Sequence, residues 1–256
     1  MIYDKVIYLS DMTVYGWKTK FKKIRKEFGY NESEDLRSAK KLNSLLKNKI
    51  KNNQLKDIIA DKTVLIIGPG PTLLKALPYI QKYKNFIIIV ADGAVQALLE
   101  KNIKPDILVT DLDGDLNSIK KIGKTKIPII VHAHGDNINR LEMVKDFSNV
   151  NGTTQTKKFG KIENFGGFSD GDRCVFLAEF FKAKKIVLIG MDFGQEIGKY
   201  SKHKVVNRKI KLKKLKFGKK ILEWFAIKTK TELYSTKSIK GYKKIRLDDL
   251  EYIENF

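Results

Sequence analysis

Short, β-branched apolar runs recur through the middle of the chain, each followed by a stretch with helical spacing. The runs are Val64–Ile67, Phe86–Val90, Ile107–Thr110, Ile127–Val131 and Ile186–Ile189, and Leu73–Tyr83, Val95–Lys101, Ile138–Phe147 and Arg173–Phe181 read as the helices between them. Strands that are apolar without alternation are covered on both faces. Their rotation with helices predicts an α/β fold, a mostly parallel Rossmann-like sheet with helices on both faces. Upstream, Asn31-Glu32-Ser33-Glu34 resembles a capping box, and Leu36, Ala39, Leu42, Leu45 and Leu46 follow at helical spacing. Downstream, Ile210, Phe217, Ile221, Trp224 and Phe225 fall on one helix face, and Leu233-Tyr234-Ser235 reads as a further strand. The organisation expected is a helical extension over 1–60, an α/β catalytic domain over 61–195, and a basic helix and strand over 196–256 packed on the core.

The residue types able to do chemistry fall just after the apolar runs. Gly68-Pro69-Gly70-Pro71-Thr72 follows the first, Asp92-Gly93 the second, Asp111 and Asp113 the third, His132, His134, Asp136 and Asn137 the fourth, and Gly190-Met191-Asp192 the last. In open parallel sheets ligands bind outside the carboxyl ends of the strands. One edge of the sheet is therefore the expected site.

Composition sharpens this. The formal net charge is +22, yet residues 91–137 carry seven acids against six lysines, while 208–230 carry ten Lys or Arg against Glu223 alone. Acid is thus concentrated at the strand ends of a basic protein, which points to a bound cation, and Mg²⁺ is the expected one. Only six of the 51 basic residues are Arg, so lysine bias alone accounts for much of the charge, and nucleic acid is not the expected partner. No apolar run approaches the ~20 residues of a membrane span, and the N-terminus lacks the features of a secretory signal. With Cys174 as the single cysteine, neither an internal disulfide nor a cysteine-based zinc site can form, and a cytoplasmic protein is expected.

Asp111 and Asp113 are spaced to project to the same side of a strand end, with Asp92 at the neighbouring end to complete a metal site. An Asx-type turn accounts for Asp113-Gly114-Asp115 without metal. The Gly68–Thr72 turn, with Gly68, Gly70, Pro71 and Thr72, suits close approach of a phosphate, or simply a tight strand-to-helix turn with proline at its start. His132-Ala133-His134-Gly135-Asp136 resembles the opening of a dinuclear metal hydrolase motif, but it stops at Asn137 and only His203 remains as a further imidazole. Phosphate or substrate contact by the histidines is the preferred reading. In Gly166–Arg173, Asp170 and Asp172 either cap a helix or face a ligand, and Arg173 suits a phosphate oxygen. The tract 208–220 reads first as a solvated helix face, then as a rim attracting polyanions.

Taken in order, these motifs resemble the archaeal 6-hydroxymethyl-7,8-dihydropterin pyrophosphokinases, over about residues 60–195. Their core is similar to thiamine pyrophosphokinase, and the same signature recurs in a domain of flagellin-modifying, nucleotide-sugar-related proteins. The resemblance implies transfer of pyrophosphate from ATP to 6-hydroxymethyl-7,8-dihydropterin with release of AMP. It implies Asp92, Asp111 and Asp113 as Mg²⁺ ligands, with Gly68, Gly70, Pro71, Thr72 and Arg173 on the phosphates. Asp170 or Asp172, with Asn137, would read the pterin, and either Asp136 or His134 would orient the attacking hydroxyl. Thiamine as acceptor and a nucleotide-sugar glycosyl transferase are the alternatives, and a homodimer stays open.

Overall fold

A computed structural model describes residues 14–201 and 207–255. Nine strands form one sheet: β1 (Thr63–Ile67), β2 (Ile87–Ala91), β3 (Ile107–Thr110), β4 (Ile129–Ala133), β5 (Val150–Thr154), β6 (Ile162–Glu163), β7 (Lys185–Ile189), β8 (Glu232–Ser235) and β9 (Lys243–Lys244). Their order is β6-β5-β4-β3-β2-β1-β7-β8-β9, with every neighbouring pair parallel. The sheet is α/β and parallel, as the apolar runs require.

Alternate residues of the central strands feed two cores. Leu65, Ile67, Ile88 and Val90 pack under α2 (Glu32–Leu45), α4 (Leu73–Lys82), α5 (Ala94–Glu100), α6 (Leu116–Gly123) and α9 (Leu250–Asn255). Val64, Ile66, Ile89 and Ala91 pack under α1 (Trp17–Phe28), α3 (Asn52–Ile59), α7 (Asp170–Phe180) and α8 (Arg208–Ala226). Asn31 caps α2 by accepting from the Ser33 N–H, and Ala39, Leu42 and Leu46 are buried at the expected spacing. No described helix is long and apolar enough to cross a membrane.

Several expectations are corrected. The helix anticipated over 138–147 is instead a 3₁₀ turn, Leu141–Asp146, with a shorter one, Gly135–Asn137, just before that span. Leu141 and Val144 are its buried apolar residues, and their three-residue spacing suits a 3₁₀ turn. The fourth strand starts two residues later than Ile127, after Pro128, and ends two residues later than Val131, so His132 lies inside β4 rather than beyond it. Strands β5 and β6 and helix α6 lie where no strand or helix was expected. In α8, Ile221 and Phe225 are buried, but Ile210 stays 48% exposed. His203 lies outside the described residues.

The order in which strands are added reverses between β1 and β7: the chain runs outward from β1 to β6, then returns to pair with β1 from its other side. Such a switch point opens a crevice at the carboxyl edge. The turns after β1 and β7 meet there.

Candidate active site

Six aspartates in residues 92–136 divide by position. Asp106 precedes β3, at the opposite edge, where it accepts the Ile88 N–H at 2.7 Å. Asp115 caps α6 by accepting from the Ser118 N–H at 2.8 Å, and Asp136 stands at the rim with its side chain 73% exposed. The other three converge. Asp92 follows β2, Asp111 and Asp113 follow β3, and one oxygen from each lies within 4.8 Å of the others.

The backbone between and after Asp111 and Asp113 is shaped for that convergence, since a Cβ at Gly114 would collide with the Asp92 carboxylate. Leu112 takes a left-handed backbone conformation (φ 66°) and is fully buried, so the two flanking carboxylates turn outward together. A branched side chain rarely adopts this conformation unless its surroundings hold it. Thr110 supplies the hold: its hydroxyl accepts the Leu112 N–H at 2.8 Å and donates to Asp92 Oδ1 at 2.7 Å. One hydroxyl thus links both strand ends.

Asp92 is 4% exposed, and its Oδ2 is buried with no hydrogen-bond partner. Burial, then the charges of Asp170, Asp111 and Asp113, push its carboxyl well above the usual range. A buried carboxylate oxygen left without a proton donor, in a crowd of carboxylates, fits a hard divalent cation. His134 supports the cluster from β4. Its Nδ1 accepts the Asp136 N–H at 3.3 Å, which leaves Nε2 as the donor to Asp111 Oδ2, also at 3.3 Å.

Over this edge opens a cavity of about 410 Å³. Asp92, Asp111, Asp113, His134 and Asp170 line one side, together with Pro69, Gly70 and Pro71. Tyr30, Phe168, Lys211 and Lys214 also line it, from the α1–α2 turn, the segment before α7, and α8. Sequence reasoning missed Tyr30, Phe168 and Gln155 as wall residues. No periodicity announces which turn faces a crevice formed by distant strands.

Four expected roles do not fit their surroundings. The Gly68–Thr72 turn has no amide to spare: Gly68 N–H donates to Ile189 O at 2.9 Å, Gly70 N–H to Gly190 O at 2.8 Å, and Thr72 N–H to Asp192 Oδ2 at 2.9 Å, while Pro69 and Pro71 have none. Gly70 is needed for close packing, since a Cβ there would collide with Asp192 Oδ2 and Gly190 O. Arg173, expected on a phosphate, is 6% exposed, and its terminal nitrogens reach Asp170 Oδ1 at 3.4 Å and Phe168 O at 3.1 Å. Asp172, expected to read a ligand, is fully buried and off the cavity wall, accepting from the Ser169 N–H at 3.0 Å and from the Phe168 N–H. Burial raises it from 3.8 to about 6 despite those donors. Asn137, also off the wall, braces the site: its Nδ2 donates to His132 O at 2.7 Å and Asp111 O at 2.8 Å.

Comparison with known proteins identifies the family of the chain. The family model described as 6-hydroxymethylpterin diphosphokinase MptE-like matches residues 34–198. Relatives named 6-hydroxymethyl-7,8-dihydropterin pyrophosphokinase include one from Methanocaldococcus jannaschii, 42% identical over 86% of this chain and 99% of its own length. Another, from Pyrococcus furiosus, is 44% identical over 81% of this chain and 92% of its own. A third, from Methanothermobacter thermautotrophicus, is 35% identical over 83% of this chain and 95% of its own. Among solved structures, the MAf glycosyltransferase from Magnetospirillum magneticum AMB-1 superposes with a TM-score of 0.56 at 13% identity. The match covers 77% of this chain but 36% of that protein, so the likeness is one of fold. With its parallel sheet, its carboxylate triad at the ligand edge and near full-length agreement with three relatives of one name, the chain belongs to the MptE-like 6-hydroxymethylpterin diphosphokinase family.

Proposed function

We propose that the protein transfers the diphosphate of ATP to the hydroxymethyl group of 6-hydroxymethyl-7,8-dihydropterin, with Mg²⁺ held by Asp92, Asp111 and Asp113. The hydroxymethyl oxygen bonds to the β-phosphorus and gives up its proton to solvent, the bond from that phosphorus to the oxygen bridging the α-phosphorus breaks, and AMP leaves with that oxygen. The observation that carries this reading is the carboxylate triad, whose members all lie within 4.8 Å on the cavity wall. The relatives' names supply the acceptor. Bound Mg²⁺ supplies charge neutralisation on the transferring phosphates.

The chain's own residues contribute position. Transfer of a phosphoryl centre to an oxygen nucleophile passes through a loose transition state, so alignment and electrostatics outweigh covalent chemistry. Thr110 and His134 fix the orientations of Asp92 and Asp111. That commitment makes His134 a positioning residue. Lys211 and Lys214 line the cavity from α8 and suit the phosphate oxygens better than the fully bonded turn after β1.

The test is an incubation of protein, Mg²⁺ and ATP with the pterin or with thiamine, scored for AMP against ADP. AMP formed with the pterin supports the reading. ADP instead of AMP, or AMP with thiamine alone, refutes it.

A further inference from the structure

With Asp172 sealed in the protein and Asp170 paired to Arg173, the atoms left to read a ring are others. Apart from the carboxylates, three described side chains of the cavity wall each carry a buried polar atom with no hydrogen-bond partner: His132 Nε2, Gln155 Oε1 and Arg173 Nε. His132 and Arg173 are only 1% and 6% exposed. Buried polar atoms without partners are rare in folded proteins, and three in one wall call for a reason.

Their hydrogen-bonding sense follows from what their other atoms do. Thr153 Oγ1 donates to Val131 O at 3.3 Å, so it receives the proton of His132 Nδ1 at 3.1 Å, leaving Nε2 with a lone pair. Burial, then the charges of Arg173 and His134, hold this imidazole well below its usual range, which keeps it neutral. Gln155 Nε2 donates to Gly167 O, leaving Oε1 as an acceptor. Arg173 spends its terminal nitrogens on Asp170 and Phe168, leaving the Nε–H as a donor. The set is two acceptors and one donor.

Building on the proposed activity, we propose that His132, Gln155 and Arg173 form the ring-edge subsite of the acceptor and select a 2-amino-4-oxopyrimidine edge. Gln155 Oε1 takes a proton of the 2-amino group, His132 Nε2 takes that of the ring N3, and Arg173 Nε–H donates to the 4-oxo oxygen. A pterin presents that sequence of two donors and one acceptor. The aminopyrimidine of thiamine does not, because an unprotonated ring nitrogen stands beside its amino group. The neighbouring wall suits a flat bicycle: the rings of Tyr30 and Phe168 lie 6.3 Å apart, and Arg173 bonds the backbone of Phe168. The subsite also adjoins the carboxylates, since His132 stacks at 6.0 Å on His134, which bonds Asp111. A chamber of about 10 Å³, lined by His132, Thr153, Thr154 and Arg173, has room for one water that would extend the same edge.

Guanine carries the same edge, so the experiment must separate pteridine from purine. Binding of 6-hydroxymethylpterin to the Mg²⁺-loaded protein is followed by pterin fluorescence. Competition is then measured with 6-hydroxymethyllumazine, in which a carbonyl replaces the 2-amino group, and with guanosine. The wild-type protein is expected to prefer pterin over lumazine by about 10- to 100-fold, the cost of facing an acceptor with an acceptor. In Gln155→Leu the preference falls toward unity. A purely structural defect weakens both pteridines alike and leaves the ratio intact, which would remove Gln155 from the subsite. Equal binding of pterin and lumazine by the wild type, or displacement of pterin by equimolar guanosine, overturns the proposal. The two readings fail separately: AMP formation without the preference removes the subsite alone, and the preference without AMP formation removes the activity alone.

Discussion

Replacing Asp92 by Asn should stabilise the metal-free protein while destroying its response to metal. The three carboxylates offer oxygens within 4.8 Å of one another, and at an effective dielectric of about 20 each ionised pair then repels by about 3.5 kcal/mol. Three such pairs approach the whole stability of a typical domain. Proton uptake and the partial exposure of Asp111 and Asp113 relieve much of this, so the realised gain from Asp92→Asn is about 1–3 kcal/mol. Asn keeps an oxygen for the Thr110 hydroxyl, which donates to Asp92 Oδ1 at 2.7 Å, so the local fold survives. In a chelator at neutral pH, Tm should rise by roughly 3–8 °C. Saturating Mg²⁺, at about 100 times its dissociation constant, adds about 2.7 kcal/mol to the wild type and close to nothing to the variant. Scanning calorimetry with and without Mg²⁺ measures both. A variant less stable than wild type in chelator, and equally stabilised by Mg²⁺, would refute the triad as a cation site.

Other perturbations isolate other parts of the site. Thr110→Val keeps the shape but orphans the buried Leu112 N–H and Asp92 Oδ1, costing about 2–4 kcal/mol by urea unfolding and weakening Mg²⁺ binding in parallel. Asp113→Asn should lower kcat for AMP formation by about 100-fold or more with Tm unreduced, since its loss relieves repulsion but removes a ligand. Asp172 titrates at about 6 in the folded protein against 3.8 as the ordinary value, so the folded state holds the proton more tightly. Its contribution is therefore greatest below the ordinary carboxylate range and is lost as pH rises through about 6, by about 3 kcal/mol in full. The Tm of Asp172→Asn relative to wild type should accordingly climb between about pH 4 and pH 7, and a flat difference would count against a buried, reluctantly ionised carboxyl.

The parallel sheet was legible because its central strands β1, β2, β3, β4 and β7 are predominantly apolar without alternation, and the ligand edge followed from where those runs stop. Asp92, Asp111 and Asp113 were legible for the same reason: residue type plus position after a strand suffices when the strand itself is plain. Strand β5, Val-Asn-Gly-Thr-Thr, carries no such signal. Its polar side chains are buried all the same, Thr153 against His132 among them, and no pattern of hydrophobicity records a polar pair. Missing β5 hid Gln155, which follows it. The phosphate reading of Gly68–Thr72 failed on a different point. Two prolines remove two amides before any ligand arrives, so glycine spacing alone overstated the turn.

The two ends of the chain looked dispensable for chemistry, yet the cavity exists through them. Periodicity shows that a helix has an apolar face, but not which surface that face covers. Here Leu42 of α2 and Ile221 and Phe225 of α8 dock on opposite faces of the sheet, and both helices pass the carboxyl edge. Asp35 of α2 accepts the Gly135 N–H at 2.9 Å, next to His134, while Lys213 of α8 pairs with Glu27 of α1 at 2.8 Å. The acidic strand ends and the basic helix thus face one another across a single cavity. A cation at the first and polyphosphate between the two would neutralise both. The uneven charge along the sequence is the linear trace of that arrangement, with the acid at the triad and the surplus lysine on the helix opposite it.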